Sequence, residues 1–129
     1  MQPPEPNNDD RAVATKINTG ELNKMSIKTI DPQTLKGWMA EGKAILVDVR
    51  EAGEVARERI PHAHHMPLSN FNPAGLPAHS GKFVVYHCAS GGRTAQFGSQ
   101  LASVTQAAND VFHLAGGIMS WKMQGYETA

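Results

Sequence analysis

The sequence is short of several things, and each shortage narrows what the chain can be. It holds a single cysteine, Cys88. One cysteine cannot close a disulfide within the chain. That fits a reducing compartment such as the cytoplasm, and it leaves a thiol free for chemistry. Net charge is missing too: Lys and Arg number 12, Asp and Glu number 12, and the formal charge is zero. No long-range field draws the chain to nucleic acid or to an anionic membrane, which leaves room only for a small local basic pocket. No apolar run approaches the roughly 18 consecutive residues of a membrane helix. The opening MQPPEPNNDD has neither the basic start nor the apolar middle of a secretory signal. There is no internal repeat.

What is present suits one folded domain. The chain has 129 residues, 40% of them hydrophobic, enough to bury a core. Residues 1–24 are polar, rich in Pro, Asn and Asp, and without apolar period. They read as a disordered tail or linker, with the folded domain over 25–129 and Met25 as a natural start. Beyond them, strand and helix patterns alternate. Ser26 to Ile30 is a short strand. DPQTLKGWMAEG is a helix capped by Asp31, with Pro32 in its first turn, Leu35, Trp38 and Met39 on one face, and Gly42 at its end. AILVDVR is a buried strand, and EAGEVARERI a short helix stopped before Pro61. HAHHMP holds a brief strand, and LSNFNPAGLPAHSGK is a turn-rich connection. FVVYHC is a second firm strand. GRTAQFGSQLASVT is predicted as one helix, with Phe97, Leu101 and Val104 on a stripe. DVFHLAGG is a strand and GIMSWKMQG a last short helix, with Ile118 and Trp121 on one face.

Alternation of this kind predicts an α/β domain, a central parallel sheet with helices on both faces. Ligand sites in such sheets lie at the carboxyl ends of the strands. Three strand ends carry suitable residues: Asp48-Val49-Arg50, Cys88, and Ala115-Gly116-Gly117. After Cys88 come Ala89, Ser90, Gly91, Gly92 and Arg93, with a helix expected from about Gly92. A helix start and a nearby cation both favour thiolate over thiol. Gly91 and Gly92 allow a tight turn whose N–H groups point inward as a nest for an anion on or beside the sulfur. Arg93 supplies a permanent charge, or else pins the loop by pairing with a carboxylate.

In these residues the sequence resembles the rhodanese (sulfurtransferase) family. CASGGRT resembles its Cys-x-x-Gly-x-Arg-Ser/Thr loop, and LVDVRE (46–51) its Asp-x-Arg-Glu segment. RIPHAHHMP (59–67) is similar to its His-Ile-Pro-Gly-Ala segment, and LAGGIMSW (114–121) to its Leu-x-Gly-Gly-x-x-x-Trp ending. The four motifs lie in order and extend the resemblance from about Ile27 to Tyr126. The resemblance implies a compact domain whose catalytic cysteine accepts sulfane sulfur as a persulfide and passes it to cyanide, a thiol or a protein cysteine. By position, Cys88 would be that nucleophile. The amides of Ala89 through Arg93 would cradle the persulfide, and Asp48 and Arg50 would support the loop.

Loop length separates this chemistry from its neighbours. Four residues stand between Cys88 and Arg93, whereas the similar phosphatases and arsenate reductases carry one more and hold a tetrahedral oxyanion. The sequence also departs from the family pattern. Arg59 stands where members often have His, and His62 where they often have Gly. The neutral Ala89 stands where thiosulfate users place a cation, which points to a persulfide or polysulfide donor. Three expectations therefore stand side by side: a sulfurtransferase, a sulfur-carrying or partner-binding module without turnover, and an oxyanion enzyme. No cofactor, nucleic acid or membrane partner is predicted. His62, His64 and His65 cluster on a segment that alternates faces, so no metal site is predicted. His87 is read as structural, since neighbouring strand residues face opposite ways. Trp38 and Trp121 are read as core, and Phe71 and Leu76 as lining the pocket mouth. Some members close to this pattern carry membrane helices after the domain; none follows within this chain.

Overall fold

The computed structural model describes residues 27–105 and 110–129. The predicted tail over 1–24 lies outside the described residues. The elements follow in chain order: β1 (Lys28–Ile30), α1 (Pro32–Ala40), β2 (Ala44–Asp48), α2 (Ala52–Arg57), β3 (His64–His65), β4 (Phe83–His87), α3 (Gly92–Gln96), α4 (Gly98–Ser103), β5 (Val111–Leu114) and α5 (Gly117–Met123). Two single 3₁₀ turns, Leu68–Asn70 and Pro73–Gly75, fill the turn-rich connection between β3 and β4. The strands form one sheet in the order β1-β5-β4-β2-β3, and every neighbouring pair is parallel. The α/β class with a central parallel sheet is therefore as expected.

Strand alternation splits the core in two. On one face Leu46, Val85 and Leu114 pack with Leu35 of α1 and with Ile118 and Trp121 of α5. On the other, Val47, Val84 and Tyr86 pack with Cys88 and with Leu101 of α4. Helices therefore cover both faces. Trp121 is buried as expected; Trp38 is half-buried, its ring stacked at 4.3 Å on Phe83. Phe71 and Leu76 are half-buried against the second core.

Two local expectations are corrected. The helix after Cys88 is not continuous: it breaks at Phe97 into α3 and α4. Phe97 and Gly98 are both weak helix formers. Phe97 leaves helical geometry at φ −100°, ψ 14° and turns its ring into the second core. Leu101 keeps its place on the inner face, while Val104 is 39% exposed. At α1, Asp31 occupies the cap position with extended backbone, but its carboxylate bonds no helix amide. It accepts instead from the Thr34 hydroxyl.

His62, in the position that the family often gives to glycine, has a left-handed backbone with φ 72°. The turn is kept and the side chain bears the steric cost, about 1–2 kcal/mol for an L-residue. Glycine would relieve it at an entropic cost of about 0.5–1 kcal/mol. His62→Gly is therefore expected to raise the urea midpoint, by about 0.5–1 kcal/mol of stability. A lowered midpoint would show that the imidazole makes a contact worth more than the strain.

Candidate active site

The register of the sheet assembles the site. Asp48 pairs with His87 across β2 and β4, and the Val49 amide donates to the His87 carbonyl at 3.0 Å. Cys88 follows directly, so its loop emerges between the ends of β2 and β5. The buried sulfur stands on the same face as Val84 and Tyr86.

The backbone then turns around that sulfur. The Cys88 carbonyl accepts from the Ile118 amide at 3.0 Å, and the Ala89 carbonyl from the Met119 amide at 3.1 Å. Peptide planes are flat and trans, so two carbonyls committed to α5 leave the following N–H groups facing the other way. Gly91 is left-handed at φ 95°, a conformation that costs glycine nothing, and its amide donates to the Cys88 sulfur at 3.1 Å. The Thr94 hydroxyl stands 3.7 Å from the same sulfur. Gly117 closes the fit from α5: a Cβ there would lie 2.4 Å from the Cys88 carbonyl oxygen. Gly117, just past β5, is thus a clearance for the loop.

Burial alone would push the Cys88 thiol up. Hydrogen bonds from the amide and hydroxyl of Thr94 and from the amides of Gly91 and Arg93 outweigh it, and hold the thiol below the ordinary cysteine value. The stabilisation is local. α3 has only five residues, too short for much of a macrodipole, so individual N–H groups carry it.

Asp48 and Arg50 pair with each other while almost completely buried, 1% and 4% exposed. The Arg50 Nε and Nη2 donate to Asp48 at 3.0 and 2.8 Å, and the Arg50 amide donates to Asp48 Oδ1 at 2.9 Å. Arg50 Nη2 also reaches the Glu58 carbonyl at 2.7 Å. Burial would raise the Asp48 carboxyl, but the Arg50 hydrogen bonds and the nearby charges keep it below its usual value. His87 is fully buried. Its Nδ1 bonds the Cys88 carbonyl at 3.1 Å, and its Nε2 lies 3.4 Å from Asp48 Oδ2. Burial lowers its pKa more than Asp48 raises it, and its Nε2 makes no hydrogen bond. The expected structural role thus includes gripping the first carbonyl of the loop.

Arg93 does not point its guanidinium into the cradle. Nη1 and Nη2 grip both carboxylate oxygens of Glu54 at 2.9 and 2.7 Å. The Arg93 bonds, working against slight burial, bring Glu54 down to about 2. The sequence reading missed Glu54. Its signal was the spacing Glu51-x-x-Glu54, a reciprocal capping box that the structure contains. Because this carboxyl is depressed on folding, the pair contributes to stability above the ordinary carboxylate range, and the contribution is lost as pH falls toward 2. Thr94 and His113 were also missed. His113 Nδ1 lies 2.9 Å from the Thr94 hydroxyl, and its Nε2 lies 3.2 Å from that of Thr29. Burial holds His113 below the usual histidine value. His64 and His65 are exposed on the edge strand, where His65 Nε2 bonds the Arg50 carbonyl at 2.7 Å. Among the described residues, no three metal-ligating side chains converge.

A strand-end thiol in a cradle of amides, backed by a buried Asp–Arg pair, invites comparison with known proteins. A family model described as the rhodanese-like domain matches residues 31–124. The chain is 40% identical over 100 residues to an uncharacterized protein of Synechocystis, covering 78% of this chain and 55% of that one. It is 30% identical over 100 residues to a protein of Allochromatium vinosum named sulfurtransferase, covering 77% of this chain and 92% of that one. A rhodanese-related protein from Thermoplasma volcanium shares the fold, with TM-score 0.64 and 23% identity over 79% of this chain and 97% of that one. The chain belongs to the rhodanese-like domain family. It spans about half the length of the Synechocystis protein. Among the described residues, no helix is long and apolar enough to cross a membrane.

Two outcomes are expected from this geometry. First, Asp48→Asn leaves the Arg50 guanidinium buried without its counter-charge and costs about 3–5 kcal/mol in urea unfolding. Asp48→Leu combined with Arg50→Met costs less than the sum of the two single changes, because neither charge is then stranded. Second, thiolate ultraviolet absorbance, taken as wild type minus Cys88→Ser, has its midpoint below that of an ordinary cysteine. Thr94→Val moves it up. As pH falls through the folded-state value, the nucleophilic form is lost. A midpoint unmoved by Thr94→Val would show that the Thr94 hydroxyl does not stabilise the thiolate.

Proposed function

We propose that the chain is a sulfurtransferase that carries sulfane sulfur as a Cys88 persulfide. The carrying observation is the Gly91 amide directed at the Cys88 sulfur from 3.1 Å, inside a loop whose carbonyls are turned away. Donors aimed at sulfur stabilise negative charge there without reorganisation.

The transfer divides into two displacements. The Cys88 thiolate attacks the outer sulfur of a donor, thiosulfate or a persulfide or polysulfide. The donor's S–S bond breaks, and sulfite or a thiolate departs with the electron pair. The new S–S bond, about 2 Å long, carries the outer sulfur away from the buried Cys88. The amides of Ala89, Ser90, Gly91, Gly92 and Arg93 surround the charge on it. An acceptor nucleophile, cyanide or a thiol (including a protein thiol), then attacks the outer sulfur, and Cys88 leaves as thiolate. Asp48 and Arg50 act at one remove, by fixing the end of the strand beside the loop.

The same geometry speaks against an oxyanion enzyme. The Arg93 cation that would help hold a phosphate or arsenate dianion faces Glu54 instead. The short loop agrees.

Intact-protein mass after incubation with thiosulfate, and separately with polysulfide, tests the proposal. Wild type is expected to gain one sulfur atom and Cys88→Ser none, and cyanide should strip it with release of thiocyanate. If a reduced, accessible Cys88 takes up no sulfur from either donor, the proposal fails and a docking role takes its place.

A further inference from the structure

We infer that Glu54 sets the charge of the sulfur donor, and that the site takes donors of at most one negative charge in preference to dianions such as thiosulfate. The inference rests on the sulfurtransferase reading above.

Two guanidinium groups stand at this corner, and both are occupied. Arg50 is locked on Asp48 in the interior. Arg93 stands at the rim, its side chain 35% exposed, with both terminal nitrogens on the Glu54 carboxylate, itself 27% exposed. The Arg93 amide faces the Cys88 sulfur, and its guanidinium is near enough to interact with the Cys88 charge. Without Glu54, a donor approaching the sulfur would meet a permanent cation. With Glu54 it meets a neutral pair. Carboxylate–guanidinium pairing in this two-point geometry is directional and well retained even near the surface. Glu54 is itself held from behind, since its Oε2 accepts from the Glu51 amide at 3.0 Å. The exposed Glu51 carboxylate next to it bonds Ser69 and adds no positive charge. The amides around Cys88 are sufficient for one charge on the transferred sulfur. Among the described residues, both guanidinium groups at this corner are already paired when a sulfonate carrying further charge arrives.

The two donor classes balance differently. With thiosulfate, the Cys88 thiolate takes the outer sulfur and sulfite leaves as a dianion with the bonding pair. With a hydropersulfide, RSSH, the thiolate takes the outer sulfur with its proton and RS⁻ leaves. Only the first requires a dianion to enter and a dianion to depart past the Glu54–Arg93 pair.

The experiment follows sulfur loading by intact mass in wild type, Glu54→Gln, and Glu54→Gln with Arg93→Gln. The donors are thiosulfate and 2-hydroxyethyl hydropersulfide, each over a range of salt. Glutamine at 54 keeps one oxygen to accept from the Glu51 amide and Arg93 Nη1, gives up the second acceptor and removes the charge. The ratio of thiosulfate to hydropersulfide loading rates is expected to rise about tenfold in Glu54→Gln, about 1.4 kcal/mol. The gain should shrink as salt is raised. In the double variant, with neither charge, the ratio should return toward that of wild type. An unchanged ratio in Glu54→Gln overturns the inference, whatever happens to absolute rates. So does a ratio that stays raised in the double variant. Absence of loading by both donors in wild type would instead overturn the sulfurtransferase reading beneath it.

Discussion

A carboxylate 1% exposed to solvent stays ionised only where its surroundings replace water completely, and at Asp48 the replacement is Arg50. Much of the site depends on that requirement. To reach Asp48, Arg50 must fold back over the end of β2. Its second edge then ties to the Glu58 carbonyl, just past α2. Its carbonyl is held by His65 from the edge strand. Asp48 also stands against His87, whose other nitrogen holds the Cys88 carbonyl. The orientation of the first peptide of the loop is thus set from the strand side by His87 and from the helix side by the Ile118 amide. With that carbonyl turned out, the amides that follow are free to turn toward the sulfur.

The helix α2 illustrates a different kind of dependence. It buries none of its residues, so the hydrophobic effect does little to hold it. Polar ties do the work instead: the capping box at its start, the Glu54–Arg93 pair, and the Arg50 bond to Glu58. Lys122 of α5 adds a further ion pair with Glu58 at 2.8 Å. An element fixed by charge can act on charge. The same contact that docks α2 on the loop removes the cation from the loop's rim.

At the sulfur, two effects of burial oppose each other. Exclusion of water disfavours the thiolate, yet it also strengthens the amide contacts that favour it. Amides win here because several of them converge, with Gly91 and Thr94 as the nearest donors. A rhodanese-like loop therefore does not require a long helix behind its cysteine, and the break at Phe97 leaves the cradle intact.

How much of this was legible in the sequence differs by scale. The parallel sheet, the helix positions apart from the break at Phe97, and the place of Cys88 at a strand end follow from apolar runs and turn residues, because these patterns act over a few neighbouring positions. The loop glycines, the Asp48–Arg50 spacing and the structural part of His87 were legible for the same reason. The partner of Arg93 was not, since Glu54 lies 39 positions away and only α2 docking brings it near. Nor was the His113–Thr94 contact, which spans two elements 19 positions apart. Nor was the function of Gly117, whose missing side chain matters only because the Cys88 carbonyl lies against it. The sequence by itself determined that a thiol would stand on a glycine-rich loop at the carboxyl end of a parallel sheet, since local pattern and chain direction suffice for that. Only the tertiary structure decided which charges face that thiol, because electrostatic partners are set by distance in space, and distance in space is a property of the packed chain.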